Sequence, residues 1–107
     1  MEWTVSLRES VIDDLRHFGQ KQGRSLLASL EKSLKENPLA ETRNMKTLRP
    51  NRFAQRELRM FGKYRALFNV DSAKHVVIVL VVGEKRGNSL FVQGKEFTLH
   101  HESSSTQ

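Results

Sequence analysis

Cysteine is absent from the 107 residues, so neither a disulfide framework nor a thiolate metal site can be built. The absence fits a reducing compartment. Long apolar runs are missing too: the longest, Val76 to Val82, has seven residues, against about 20 needed to span a bilayer. Charges at Glu2, Arg8, Glu9, Asp13 and Asp14 break up the N-terminus, which leaves no stretch that could act as a secretory signal. The expected address is the cytoplasm, with no membrane partner. There are no internal repeats, no phosphate-binding Gly-x4-Gly-Lys-Ser/Thr loop, and no His, Asp and Glu cluster at metal-ligand spacing. No cofactor and no metal are expected. The length excludes a multidomain enzyme or a solenoid and allows one modest core.

What the sequence does have is positive charge, +6 overall, which suits a polyanionic partner. Its distribution is uneven. Between Arg43 and Arg65 lie Arg43, Lys46, Arg49, Arg52, Arg56, Arg59, Lys63 and Arg65 against the single acid Glu57, a local charge of +7. The other 84 residues hold ten basic and eleven acidic side chains. A solvated face ordinarily mixes both signs. This unmixed segment points to phosphate binding.

Trp3, Val5 and Leu7 alternate with Thr4 and Ser6, the period of a half-buried strand. Val11, Ile12, Leu15 and Phe18 then recur at helical spacing up to Gly19, and Leu26, Leu27, Leu30 and Leu34 repeat the pattern from about 24 to 36. Asn37-Pro38 ends that second helix. Residues 37–52 have no clear period and read as a loop with a short turn around 45–48. Strands follow over 53–60 and 63–70, joined at Phe61-Gly62. A central strand is expected over 75–82, apolar on both faces, then a polar turn over 83–88. A last strand over 89–93 resumes over 95–99 after a bulge or bend at Gly94.

The expected fold class is α+β, with an N-terminal strand and a helical hairpin packed on one face of a mainly antiparallel sheet of four to five strands. One domain covers 1–102, and a polar tail with nothing to bury covers 103–107, expected to be disordered. Alternation sends Tyr64, Ala66, Phe68 and Val70 to the helices and Arg65 to the other face, expected to be open. Leu58 and Met60 face in, Glu57 and Arg59 out. The basic stripe thus falls on the open face.

The order of these elements, with Asn37-Pro38, Arg56-Glu57-Leu58-Arg59, Gly62-Lys63-Tyr64-Arg65 followed by Leu67-Phe68, and Val82-Gly83 before Lys85-Arg86, resembles the RelE/ParE superfamily of toxins from toxin–antitoxin systems. The resemblance spans roughly residues 3–99. It implies a toxin held inactive by a cognate antitoxin, in an oligomeric assembly with it. RelE-like members cleave mRNA in the ribosomal A site, and ParE-like members poison DNA gyrase.

Under that resemblance Arg65 matches the arginine that contacts the scissile phosphate and Arg59 a basic position on the preceding strand. Lys85 or Arg86 matches the basic residue after the Val-Gly pair. Two departures stand out. The RelE lysine positions fall near Gln55 and Glu57, and the late RelE tyrosine falls near Phe91, while Tyr64, the only tyrosine, is assigned to the core.

Cleaving RNA without a metal needs a base, positive charge on the phosphorane, and an acid. Arg65, Arg59, Lys85 and Arg86 are the candidates for charge, guanidinium being always ionised and matched to phosphate oxygens. Lys46, Arg49, Arg52, Arg56 and Lys63 complete the expected RNA-binding set. Glu57 among arginines reads as a salt-bridge partner before a base. His100 and His101 are the candidate acid and base, as several RelE relatives carry a functional histidine near the C-terminus; a frayed polar tail is the competing reading. His17 and His75 read as structural. The leading expectation is an endoribonuclease acting on ribosome-bound mRNA, the alternatives a gyrase poison or a non-toxic nucleic-acid-binding module.

Overall fold

The computed structural model describes residues 2–99. Strand β1 (Thr4–Leu7) leads into α1 (Glu9–His17) and α2 (Gln20–Glu36), and six strands follow: β2 (Met45–Thr47), β3 (Arg56–Met60), β4 (Tyr64–Asp71), β5 (Val76–Arg86), β6 (Ser89–Val92) and β7 (Lys95–Phe97). They form one sheet in the order β2-β3-β4-β5-β6-β7, with β1 alongside β5. Every pairing is antiparallel except that of β1 with β5.

The class is the expected α+β, and the sheet has seven strands instead of four to five. The added strands are short. Met45–Thr47 lies in the stretch read as loop, because three residues show no period; only Met45 is buried there. The expected bend at Gly94 is a two-residue turn, Gln93 at φ 52° and Gly94 at φ 81°, which makes β6 and β7 a hairpin. Strand β5 runs on through Gly83 to Arg86, so the polar turn expected over 83–88 shrinks to Gly87-Asn88.

The helices bury Val11, Leu15, Leu26, Leu30 and Leu34 against Leu58, Met60, Ala66, Phe68, Val77, Val79 and Val82 of the sheet. Glu9 in the first turn of α1 and Arg16 and His17 in its last complement the helix dipole. Tyr64 packs on this side, its ring edge-on to Phe18 at 5.1 Å, as alternation requires.

A bulge in β5 decides what the opposite face presents. Leu67 pairs with Val81 and Phe68 with Val79, leaving Leu80 as an extra residue. The extra residue reverses the parity of everything after it. Val77 and Val79 face the helices before the bulge and Val82 after it, while Leu80 and Val81 both turn to the other side. Lys85, three residues beyond Val82, is thereby placed on the face away from the helices. That face is not open throughout: Ala54, Leu67 and Val81 are buried on it under Leu48, Phe53, Leu80, Leu90, Val92, Phe97 and Leu99. The basic stripe shares this face with a second apolar cluster.

Strand β4 occupies one edge of β5, and β1 and β6 share the other, β1 along Val76–Val79 and β6 along Glu84–Arg86. Along that second edge the stretch between them has no strand partner among the described residues. Buried Asp14 of α1 fills this gap: its Oδ2 accepts the Val82 amide at 3.0 Å, and its Oδ1 accepts Gln93 Nε2 at 2.6 Å. Among the described residues, no helix is long and apolar enough to cross a membrane.

Candidate nucleic-acid interface

Two rows of residues cross the sheet on the face away from the helices. One runs Arg59, Arg65, Gly83 over β3, β4 and β5, and the next runs Lys46, Glu57, Leu67, Val81 from β2 to β5. Arg59 and Arg65 are direct cross-strand neighbours. Glu57 lies directly across from Lys46 and diagonally from Arg65, 3.8 Å from Lys46 Nζ and 3.9 Å from Arg65 Nε. Arg65 is only 5% exposed, and its Nη1 donates to the carbonyls of Gly62 and Tyr64, each at 3.2 Å. Burial lowers its pKa, Glu57 opposes that shift, and Arg59 adds to it. A guanidinium starts high enough to remain charged.

The third position of the first row has no side chain. A Cβ on Gly83 would lie 2.5 Å from the Phe91 carbonyl oxygen, so glycine is what lets β6 close down on β5 here. Beyond it a cavity of about 240 Å³ is lined by Glu57, Leu67 and Lys85, by Asn88, Ser89 and Leu90 of the β5–β6 hairpin, and by the segment Glu96 to Leu99. Its walls combine apolar side chains with two carboxylates, Glu96 being fixed by the Ser89 hydroxyl at 3.0 Å. The basic stripe expected on an open face is thus a cationic row beside a mixed pocket. Asn88, Ser89, Glu96 and Phe97 had no signal of their own in the sequence, since only the hairpin at Gln93-Gly94 brings Glu96 back to Ser89.

The cations divide by whether their charge is already used. Among the described residues, Arg59 and Lys85 make no ion pair, and neither do the exposed loop residues Arg49 and Arg52. Lys63 reaches Glu84 Oε2 at 3.2 Å and lies over the Tyr64 ring at 5.2 Å. Arg86 pairs with Glu84 at 3.3 Å and lies 4.7 Å from the centre of the Phe91 ring. Glu84 and Phe91 are register partners one residue off from Gly83, on the opposite side of the sheet. Of the two residues that sequence could not separate, Lys85 shares a face with Arg65 and Arg86 does not.

Arg56 corrects the expected RNA-binding set. Its side chain is buried on the helix side of β3, where it donates to the Pro38 carbonyl and, at 2.7 Å, to the Ala40 carbonyl and Glu41 Oε2. Alternation places it with Leu58 and Met60, and the chain leaving α2 needs donors there. The late tyrosine position, Phe91, is likewise off the Arg65 face. His75 stacks on Trp3 with ring centroids 3.8 Å apart, and His17 lies edge-on to Phe18. His100, His101 and the tail over 103–107 lie outside the described residues. No group of three or more His, Asp or Glu able to hold a metal ion occurs among the described residues.

No protein-family model matches the sequence, and no curated protein matches it. The fold is similar to that of a chain in the crystal structure of the toxin–antitoxin complex RelBE2 from Mycobacterium tuberculosis. The TM-score is 0.68 at 24% identity, over 79% of this chain and 93% of that one. The RelE-like fold implied by the sequence resemblance is therefore the fold of this chain.

Proposed function

We propose that this chain is the toxin of a toxin–antitoxin pair, and that its cationic sheet face holds the backbone of ribosome-bound mRNA and cleaves it. The carrying observation is the row Arg59–Arg65 with Lys85 beside it: three cations on one face, two of them without an ion pair among the described residues. Like charges gather against their mutual repulsion where an anion is to be held. The neighbour of like fold comes from a complex of toxin with antitoxin, which supports an antitoxin as partner and an assembly with it; the proposed place of action is the cytoplasm.

In the proposed reaction a 2′-hydroxyl attacks the adjacent phosphorus, the new 2′-oxygen–phosphorus bond forms as the bond to the 5′-oxygen breaks, and a cyclic phosphate and a 5′-hydroxyl result. Arg65 is the fixed cation, held by the Gly62 and Tyr64 carbonyls, and Arg59 and Lys85 meet the equatorial oxygens as charge develops. Glu57 orients Arg65 and Lys46. His100 and His101 follow directly on Leu99, a residue of the cavity wall, and are the proposed base and acid. Lys46, Arg49 and Arg52 track the flanking phosphates.

One observation favours a second reading, a gyrase poison that acts by binding alone. The described part of this face carries neither tyrosine nor histidine, Tyr64 being committed to Phe18. Induced expression in growing cells separates the two. Arrest of amino-acid incorporation with shortened messages supports the nuclease; DNA damage with translation intact overturns it in favour of the poison.

A further inference from the structure

The β3–β4 hairpin closes through Phe61, Gly62 and Lys63, between the paired residues Met60 and Tyr64. Phe61 is 61% exposed and sits at φ 48°. Single exposed apolar residues are ordinary. A bulky side chain in the left-handed region is not, because glycine or asparagine takes that conformation with less strain. Phe61 thus breaks two local rules at once, and such breaches concentrate where a residue is kept for use. Among the described residues nothing lies within 4 Å of where a Cβ on Gly62 would be, so the tip of the turn is open at that point. It is also tied to the cationic row, since Arg65 Nη1 donates to the Gly62 carbonyl.

We infer that Phe61 is a stacking platform for an unpaired nucleobase of the RNA whose phosphates lie on Arg59, Arg65 and Lys85. An exposed ring beside a cationic track is the pairing used to hold single strands, the ring taking the base and the cations the backbone. The inference rests on the RNA reading of that face, and the nucleic-acid chemistry follows from the charge beside the turn: Arg59 and Arg65 are the cross-strand pair next to Met60 and Tyr64, and Arg65 reaches the Gly62 carbonyl.

Phe61→Asn and Phe61→Trp test it, with affinity for a short single-stranded RNA read by fluorescence anisotropy and stability by thermal melting. Phe61→Asn is expected to melt at a higher temperature, the strain being relieved, yet to bind RNA roughly 5- to 100-fold more weakly with an unchanged salt slope. Phe61→Trp is expected to keep the affinity, and its added indole emission to be quenched by RNA but not by an abasic strand of equal length. Native affinity in Phe61→Asn, or an indole indifferent to bases, overturns the inference. So does an effect confined to antitoxin pairing, which would give the ring to a protein partner. Base-dependent binding without cleavage of ribosome-bound message overturns the nuclease reading and leaves this one standing.

Discussion

Arg59 and Arg65 face each other across β3 and β4, two like charges where adjacent strands ordinarily place apolar or opposite-charge pairs. Like charges so placed destabilise a sheet, and Glu57, 3.9 Å from Arg65 Nε, offsets part of the repulsion. Removing one member separates stability from binding. Arg59→Ala is expected to hold or raise stability by about 0.2–1 kcal/mol, while RNA affinity falls for every sequence alike and the salt slope drops by about one. Urea unfolding and a salt titration of RNA binding check both halves.

Arg56 should behave in the opposite way. Its guanidinium satisfies the carbonyls of Pro38 and Ala40 and pairs with Glu41 from a buried position. Arg56→Ala is expected to cost about 3 kcal/mol, and Arg56→Lys to recover little, because an ammonium cannot reproduce the planar fork. RNA affinity per folded molecule should be unchanged. Urea denaturation alongside anisotropy on the folded fraction measures this, and lost affinity in a fully folded variant would return Arg56 to the RNA-binding set.

The contrast between these arginines shows what the sequence could and could not reveal. Period-2 alternation correctly assigned Leu58, Met60, Ala66 and Phe68 to the helix side and Arg59 and Arg65 to the other. The same rule puts Arg56 with Leu58 on the helix side, so the density of charge along the segment is no guide to the face of this one arginine. Lys85 and Arg86 were inseparable because the parity of β5 depends on a bulge at Leu80, and a run of Val, Ile and Leu carries no mark of where an extra residue sits. The cavity walls come from β6 and β7, short strands whose place depends on Gly83 and on a two-residue turn. Asp14 carries no mark of its burial in the sequence, since its partners Val82 and Gln93 are far along the chain.

Asp14 closes the gap left in the β5 edge between β1 and β6. Asp14→Ala leaves the Val82 amide and the Gln93 side chain without their acceptor, and is expected to cost about 1–3 kcal/mol. Hydrogen exchange should quicken first at Val82 and along the β6–β7 hairpin. Asp14→Asn keeps an acceptor for the amide and should lose less. Uniform acceleration across the whole sheet would contradict a local role.

The Lys63–Glu84 pair makes stability depend on pH at both extremes. The hydrogen bond from Lys63 holds the Glu84 carboxyl below its ordinary 4.5, burial acting against it and Arg86 with it. The bond to Glu84 in turn raises Lys63 above 10.5. The Glu84 contribution is present above its unfolded value and lost as pH falls through the lower folded one. The Lys63 contribution is complete below 10.5 and lost as pH rises through the higher folded one. The pair therefore supports the fold between roughly pH 5 and pH 10, modestly, because both groups meet solvent. Glu84→Gln should flatten both shoulders in a urea-midpoint profile against pH, and a profile parallel to the native one would show that the pair contributes nothing.

The central claim is that the row of Arg59 and Arg65, with Lys85, acts on RNA held by the ribosome. Single-turnover cleavage of a defined message on programmed ribosomes, with the RNA ends mapped, tests it most directly. Native protein should cut within the message and leave a 5′-hydroxyl. Lys85→Ala and Arg59→Ala should each slow the cut by about 10- to 1000-fold, as expected for losing one group that stabilises developing charge, while remaining folded. An intact message with folded native protein, or variants that cut as fast as the native chain, would contradict the account.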